Sequence, residues 1–141
     1  MKKFDWIEHP SDIGFRAYGR DLAEAFENAA LALFEVMVDT SKVDPKEKQD
    51  IELTAEDELA LLYDWLDRLI YFHDSRNLLF SKFAVRIEKT REGLRLSARA
   101  WGEKFDPAKH PERTAVKAVT YHLMEVGEGK DGSYVQAVVD I

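Results

Sequence analysis

Two pairs of strand-like segments, each joined by a short turn, occupy the second half of the chain. The first pair lies between residues 83 and 101 and turns at residues 90–93, and apolar and polar side chains alternate on both sides of the turn. The second pair lies between residues 116 and 141 and turns at the glycine-containing residues 127–132. Period-two segments joined by short turns form antiparallel hairpins. The second half of the chain is therefore predicted to be antiparallel sheet.

The first half of the chain has the spacing of a capped helix. Apolar residues recur at helical intervals and predict a helix over residues 21–38. Asp21 is the expected N-cap, and Glu24 three residues later completes the spacing of a capping box. Short alternating segments at residues 4–7 and 13–18 precede this helix and predict two further strands.

A second helix is predicted to begin at Thr54 and to continue through the apolar residues 59–72. Its apolar side chains cover more than one face, whereas a surface helix needs only one apolar stripe. The helix is therefore either buried between layers or exposes aromatic side chains to a partner, in which case Trp65 and Tyr71 are the candidates.

These elements predict the fold class. The chain of 141 residues is expected to form a single domain, residues 1–141, with an α+β fold. Two main helices should pack on antiparallel β-sheet, and the N-terminal turn should lie adjacent to the C-terminal strand, so that the two ends of the chain meet.

The charge of the chain argues against one class of function. Its formal net charge is −7 and its basic residues are scattered along the sequence. Proteins that bind nucleic acid tightly cluster Lys and Arg to displace counterions. Tight direct binding to nucleic acid is therefore not expected, although an acidic protein could dock on the basic surface of an enzyme that acts on nucleic acid.

Composition also limits the chemistry. The chain has no cysteine, which excludes thiol catalysis, disulfides and cysteine-based zinc sites, and leaves carboxylates and four histidines as candidate ligands. Its apolar stretches are interrupted by acidic residues, so no membrane span is expected. The N-terminus lacks the order of a secretory signal, so a cytoplasmic location is predicted.

One turn near the N-terminus is a candidate site. The segment His9-Pro10-Ser11-Asp12-Ile13-Gly14 can bend sharply at its proline and glycine and hold Asp12 at the tip. The structural interpretation is a turn whose aspartate caps a neighbouring N–H group. The functional interpretation rests on Asp140, a second carboxylate beside the terminal carboxylate of Ile141.

The motifs taken together resemble the archease family. They comprise the turn at residues 9–14, the helix at residues 62–71 with Trp65, the strand Val-Lys-Ala-Val-Thr-Tyr-His at residues 116–122 and the ending Val-Asp-Ile at residues 139–141. The resemblance covers essentially the whole chain in order.

The resemblance implies an accessory protein rather than an enzyme. Members of the archease family are protein cofactors of the RtcB-type RNA-splicing ligase, which joins a 3′-phosphate or cyclic phosphate RNA end to a 5′-hydroxyl end, notably in tRNA splicing. The ligase uses GTP and manganese through a guanylate linked to histidine. The resemblance therefore implies that this chain promotes guanylylation and multiple turnover without being catalytic.

The resemblance also implies a set of site residues. A divalent cation would be held by Asp12, Asp140 and Ile141, and Lys117 would take part in activating the ligase. Oxygen ligands suit hard cations, with Ca²⁺ expected first and Mg²⁺ or Mn²⁺ as alternatives, and they disfavour zinc. His9 could add a nitrogen ligand or a hydrogen bond to a ligand, or could be solvated or cap a helix. Without the resemblance, Lys117 would be interpreted as a lysine at a strand end whose stem covers apolar surface.

Two other classes of function stay open. The chain could be a metal-dependent hydrolase in which Asp12 and Asp140 hold a cation that activates water, although no further general base stands at a recognisable spacing. It could also be a metal-independent docking or chaperone module that acts through its aromatic helix, with the acidic residues contacting a basic partner.

Overall fold

The described residues of the chain form seven strands and two main helices. The computed structural model describes residues 2–9 and 12–141, and of Glu8 and His9 it describes the backbone alone. The elements are β1 (Phe4–His9), β2 (Asp12–Gly19), α1 (Leu22–Met37), a 3-10 turn (Thr40–Lys42), β3 (Glu47–Ala55), α2 (Glu58–Arg76), β4 (Leu78–Thr90), β5 (Gly93–Lys104), β6 (Ala118–Gly129) and β7 (Gly132–Asp140).

The strands form two antiparallel sheets. The first sheet has the order β1-β2-β7-β6 and the second has the order β3-β5-β4. Helix α1 contacts β2 and β7 of the first sheet and β4 of the second, so it lies between the two sheets. The predicted α+β fold of two helices on antiparallel sheet is confirmed, and both predicted hairpins are present as β4–β5 and β6–β7.

Helix α1 begins where the sequence predicts. The Asp21 side chain accepts a hydrogen bond from the Glu24 N–H at 2.9 Å. The Glu24 carboxylate in turn accepts from the N–H of Arg20 at 2.9 Å, one residue before the cap. The helix is buried on most of its circumference, as expected for a helix between two sheets. Its buried residues are Ala25, Phe26, Ala29, Ala30, Ala32, Leu33, Phe34, Val36 and Met37.

Helix α2 begins later than predicted. Thr54 does not start the helix but pairs with Arg95 as part of β3, which continues to Ala55. The side chain of Asp57 then accepts from the Ala60 N–H at 2.9 Å and caps the helix. Acidic residues are favourable in the first turn whether the helix begins after Thr54 or after Asp57. The local sequence therefore does not decide which of the two residues caps the helix.

The structure decides between the two interpretations of α2. Trp65 is fully buried, and its indole N–H donates to the carbonyl of Phe26 at 3.0 Å. Tyr71 is 54% exposed. The helix is therefore a core element that carries one exposed aromatic side chain near its end. None of the helices in the described part of the chain has the length and apolar content needed to cross a membrane.

The long connection between β5 and β6 is held at both of its ends. Its first part folds around His110, which is 1% exposed. Further along, the N–H groups of Arg113 and Thr114 donate to the carbonyls of Met37 and Val36 at the end of α1. These contacts therefore fix the position of Lys117, which immediately precedes β6.

Candidate functional site

The two predicted acidic residues lie directly opposite each other. Strand β2 pairs with β7 along its whole length, from Gly19 opposite Ser133 to Asp12 opposite Asp140. Directly opposed residues of an antiparallel pair project to the same face, with Cβ atoms about 4.5–5.5 Å apart. The predicted meeting of the N-terminal turn and the C-terminal strand is therefore confirmed, and the two carboxylates share one end of the first sheet.

Lys117 lies on the other side of Asp140. The sequence placed it inside a strand, but β6 begins at Ala118, which pairs with Asp140. The N–H of Lys117 donates to the carbonyl of Asp140 at 2.9 Å. The Lys117 side chain is exposed, and Ile141 is 38% exposed. Strand register thus brings Asp12, Asp140, Ile141 and Lys117 together at one corner of the molecule. We call the part of this corner formed by Asp12, Asp140 and Ile141 the acidic corner.

Gly14 has a different role from the predicted one. It is not part of a bend but lies within β2, opposite Ile7 of β1 and Val138 of β7. A Cβ atom at this position would lie 3.1 Å from the Ile7 Cβ and 3.3 Å from the Val138 Cγ2. The absence of a side chain therefore lets three strands pack closely beside Asp12.

The donor chemistry at this corner is that of oxygen. Among the side chains that the structure describes, in residues 2–7 and 12–141, no three of His, Asp or Glu converge to hold a metal ion. Asp12 and Asp140 supply two carboxylates, and like charges directly opposite each other destabilise a sheet. A hard divalent cation would remove this penalty, and it would need a third oxygen ligand, for which the terminal carboxylate of Ile141 is the candidate. The backbone of His9 pairs with Asp12, but its side chain lies outside the described part of the structure.

An irregularity in β6 was not predicted from the sequence. Thr120 pairs with Val138 and Glu125 with Gln136, so the four residues 121–124 of β6 lie opposite Ala137 alone. Leu123 in this bulge has φ +54°. The apolar alternation of residues 116–126 resembles that of a regular strand, and no glycine or asparagine marks the position that adopts positive φ.

The bulge presents apolar side chains to solvent. Tyr121 is 60% exposed and Leu123 is 47% exposed. The Tyr121 ring stacks on that of Tyr63 from α2, with the ring centroids 4.2 Å apart and the planes inclined by 9°. The surface next to the acidic corner is therefore aromatic.

Sequence comparison identifies relatives over nearly the whole chain. The sequence model of the archease protein family matches residues 4–141. A protein archease of Sulfurisphaera tokodaii is 54% identical, with all of both chains covered. A protein archease of Methanothermobacter thermautotrophicus is 52% identical over 89% of each chain.

Two solved structures share the fold. The solution structure of protein 1598 of Methanobacterium thermoautotrophicum matches with a TM-score of 0.90 and 47% identity, and all of both chains is covered. A Thermotoga maritima structure described as an archease and possible chaperone matches with a TM-score of 0.62 over 96% of this chain and 94% of that one. At 23% identity, the second likeness concerns the fold alone. Matched from residue 4 to residue 141 by the family's sequence model, the chain belongs to the archease family.

Proposed function

We propose that this protein is a non-catalytic activator of an RtcB-type RNA-splicing ligase and acts in the cytoplasm. It would promote GTP-dependent guanylylation of the ligase and multiple turnover in joining 3′-phosphate and 5′-hydroxyl RNA ends. The single observation that carries the proposal is the direct pairing of Asp12 with Asp140 next to Lys117.

The acidic corner fits a divalent cation. Asp12 and Asp140 project from neighbouring strands to one face, and the terminal carboxylate of Ile141 would be the third ligand. Such an oxygen-only set favours Ca²⁺, with Mg²⁺ or Mn²⁺ as alternatives. A bound cation would neutralise the opposed carboxylates and fix the relative positions of the turn and the last strand.

Lys117 is placed to act outside the protein. Its backbone is fixed to Asp140, whereas its side chain is exposed. A flexible ammonium group of this kind pairs with carboxylates or phosphates. In the proposed function, the Lys117 ammonium contacts either the carboxylates of the acidic corner or the phosphates of the nucleotide bound by the ligase.

The test is a guanylylation assay with purified ligase, GTP and Mn²⁺. Wild-type protein is expected to increase the rate of ligase–guanylate formation, and Asp12→Asn, Asp140→Asn and Lys117→Ala are expected to lower this rate to nearly that of ligase alone. Asp131→Asn is the matched control, because Asp131 is an exposed aspartate in the turn at the opposite end of β7. Thermal unfolding of each variant shows whether the fold is retained.

The same assay separates the other two classes of function. Stimulation that survives all three substitutions would contradict the proposed site and favour a metal-independent docking or chaperone module. Hydrolysis of phosphate esters by the isolated protein, lost in Asp12→Asn and Asp140→Asn, would instead identify a metal-dependent hydrolase.

A further inference from the structure

The bulge in β6 holds backbone strain. Residues 121–124 oppose the single residue Ala137, and Leu123 adopts φ +54°. This left-handed conformation is unfavourable for a residue with a bulky side chain, and such strain persists only where the surrounding structure enforces it. A regular strand of the same sequence would avoid the strain, so the bulge needs a physical explanation.

Side chains of the first sheet hold the bulge in place. The side-chain amide of Gln136, a residue only 7% exposed, donates to the carbonyl of Leu123 at 2.8 Å. The Gln136 side-chain oxygen accepts from the Arg16 guanidinium at 3.0 Å, and Arg16 also donates to Glu125 at 3.0 Å. Both ends of the Gln136 amide are thereby satisfied. The bulge is therefore a fixed feature of the fold.

The bulge forms part of an exposed apolar surface. Tyr121 is 60% exposed and stacks on Tyr63 of α2. Leu59, one turn before Tyr63 on the same side of that helix, is 42% exposed. We call Leu59, Tyr63 and Tyr121 the tyrosine patch. The exposed Leu123 belongs to the same bulge as Tyr121.

Carboxylates surround the tyrosine patch. Partial burial and the negative charges of Asp64, Asp57 and Glu56 raise the pKa of the Tyr121 hydroxyl. Asp64 is half-buried, and this burial together with Asp67 raises its pKa more than the nearby Arg68 guanidinium lowers it. Within the part of the chain that the structure describes, the Asp64 carboxylate accepts no hydrogen bond and forms no ion pair. A cation from another molecule would satisfy it.

We infer that the tyrosine patch is the surface on which this protein docks a basic segment of the ligase. This inference rests on the proposed function and names the contact. A Lys or Arg of the partner would lie against the Tyr121 ring and pair with Asp64, because aromatic faces and carboxylates both attract cations. RNA does not fit this surface, since the surrounding carboxylates repel phosphates.

The position of the patch agrees with this contact. Strand β6 runs from Ala118, which pairs with Asp140, through Thr120 to the bulge that begins at Tyr121. A partner held at Tyr121 would therefore be within a few residues of the acidic corner and Lys117. Docking at the patch would bring the proposed activating residues to the ligase.

The experiment measures the dissociation constant between the ligase and this protein by isothermal titration calorimetry. Tyr121→Ser and Asp64→Asn are each expected to weaken binding by about tenfold, as side chains at the centre of an interface do. Tyr71→Ser and Asp74→Asn are the matched controls, because both residues are exposed near the other end of α2 and both should bind like wild type. The affinity of wild type should fall with added salt more steeply than that of Asp64→Asn.

A further variant separates docking from fold stability. Leu123→Gly removes the strained side chain, so its melting temperature should equal or exceed that of wild type while binding to the ligase weakens.

Equal binding by Tyr121→Ser, Asp64→Asn and wild type would overturn the inference and leave the proposed function intact. Failure of wild type to bind or stimulate the ligase would overturn both. Binding of a single-stranded RNA that depends on Tyr121 would overturn the choice of a protein partner.

Discussion

Glu103→Ala is expected to lower the free energy of unfolding by about 3 kcal/mol, because it leaves the buried His110 ring without an acceptor and breaks the hydrogen bonds from Asp44 and Lys109. Glu103 is 8% exposed at the end of β5. One of its carboxylate oxygens accepts from the Asp44 N–H at 2.8 Å, from the Lys109 ammonium at 2.7 Å and from the His110 ring at 2.9 Å. The measurement is equilibrium unfolding in urea near pH 7.

The hydrogen bonds of His110 define how this cluster is built. Its Nδ1 accepts from the Asp106 N–H at 2.9 Å, so the neutral ring carries its proton on Nε2 and donates to Glu103. The Glu103 carboxylate therefore joins β5 to the connection that precedes Lys117 and to the segment before β3. Loss of the carboxylate would loosen three segments together.

The pH dependence of stability follows from the same carboxylate. Burial by itself raises the pKa of Glu103, but the hydrogen bonds and the Lys109 ammonium outweigh it and lower the pKa to about 2, from an ordinary value of 4.5. A depressed folded-state pKa contributes stability above the unfolded value, and this stability is lost as the pH falls towards 2. The unfolding free energy of wild type should therefore fall across this window more steeply than that of Glu103→Ala.

Glu112→Ala is the matched control, because Glu112 is an exposed glutamate in the same connection. It should unfold within about 0.5 kcal/mol of wild type, as surface substitutions do. If Glu103→Ala is no less stable than Glu112→Ala, then the His110 cluster does not hold the connection in place.

Local sequence patterns were sufficient for much of the fold. The capping box at Asp21 and Glu24 located the first helix, since both side chains bond backbone N–H groups there. The predicted start of the second helix was wrong. Thr54 and Asp57 are both acceptable N-caps, and only the pairing of Thr54 with Arg95 in the sheet decides between them. Sheet register is a tertiary property that a helix-start signal does not contain.

The candidate site was predictable for a related reason. Asp12 and Asp140 belong to recognisable end motifs, and the prediction that the ends meet required just one strand pairing, which the structure confirms. The bulge was not predictable, because what supports Leu123 is Gln136 from the neighbouring strand and Arg16 from the strand beyond. Long-range side-chain support of this kind leaves no periodicity in the sequence.

The acidic corner makes the proposed cation a matter of stability as well as function. In the absence of a cation, the carboxylate of Asp140 faces that of Asp12 across the β2–β7 pair. Opposed like charges cost about 0.2–1 kcal/mol in a sheet. A cation that binds the folded state alone would reverse the sign of this contribution, because binding stabilises the fold by mass action.

Asp140→Asn is therefore expected to lose the stabilisation that an added divalent cation gives to wild type. In chelator, the variant should unfold within about 0.5 kcal/mol of wild type, as substitutions near the surface do. With Ca²⁺ at a hundredfold excess over its dissociation constant, wild type should gain about 2.7 kcal/mol and the variant little. Thermal unfolding in chelator and in Ca²⁺, Mg²⁺ or Mn²⁺ measures the difference and shows which cation is preferred.

Two controls test whether the stabilisation by the cation arises at the acidic corner and whether it requires the Ile141 carboxylate as third ligand. Asp131→Asn should respond to the cation as wild type does, because Asp131 lies at the far end of the β6–β7 hairpin. Adding Gly-Ser after Ile141 moves the carboxylate away and should abolish the cation's stabilisation, whereas the same addition before Met1 should not. Equal gains in wild type and Asp140→Asn would mean that the cation binds elsewhere.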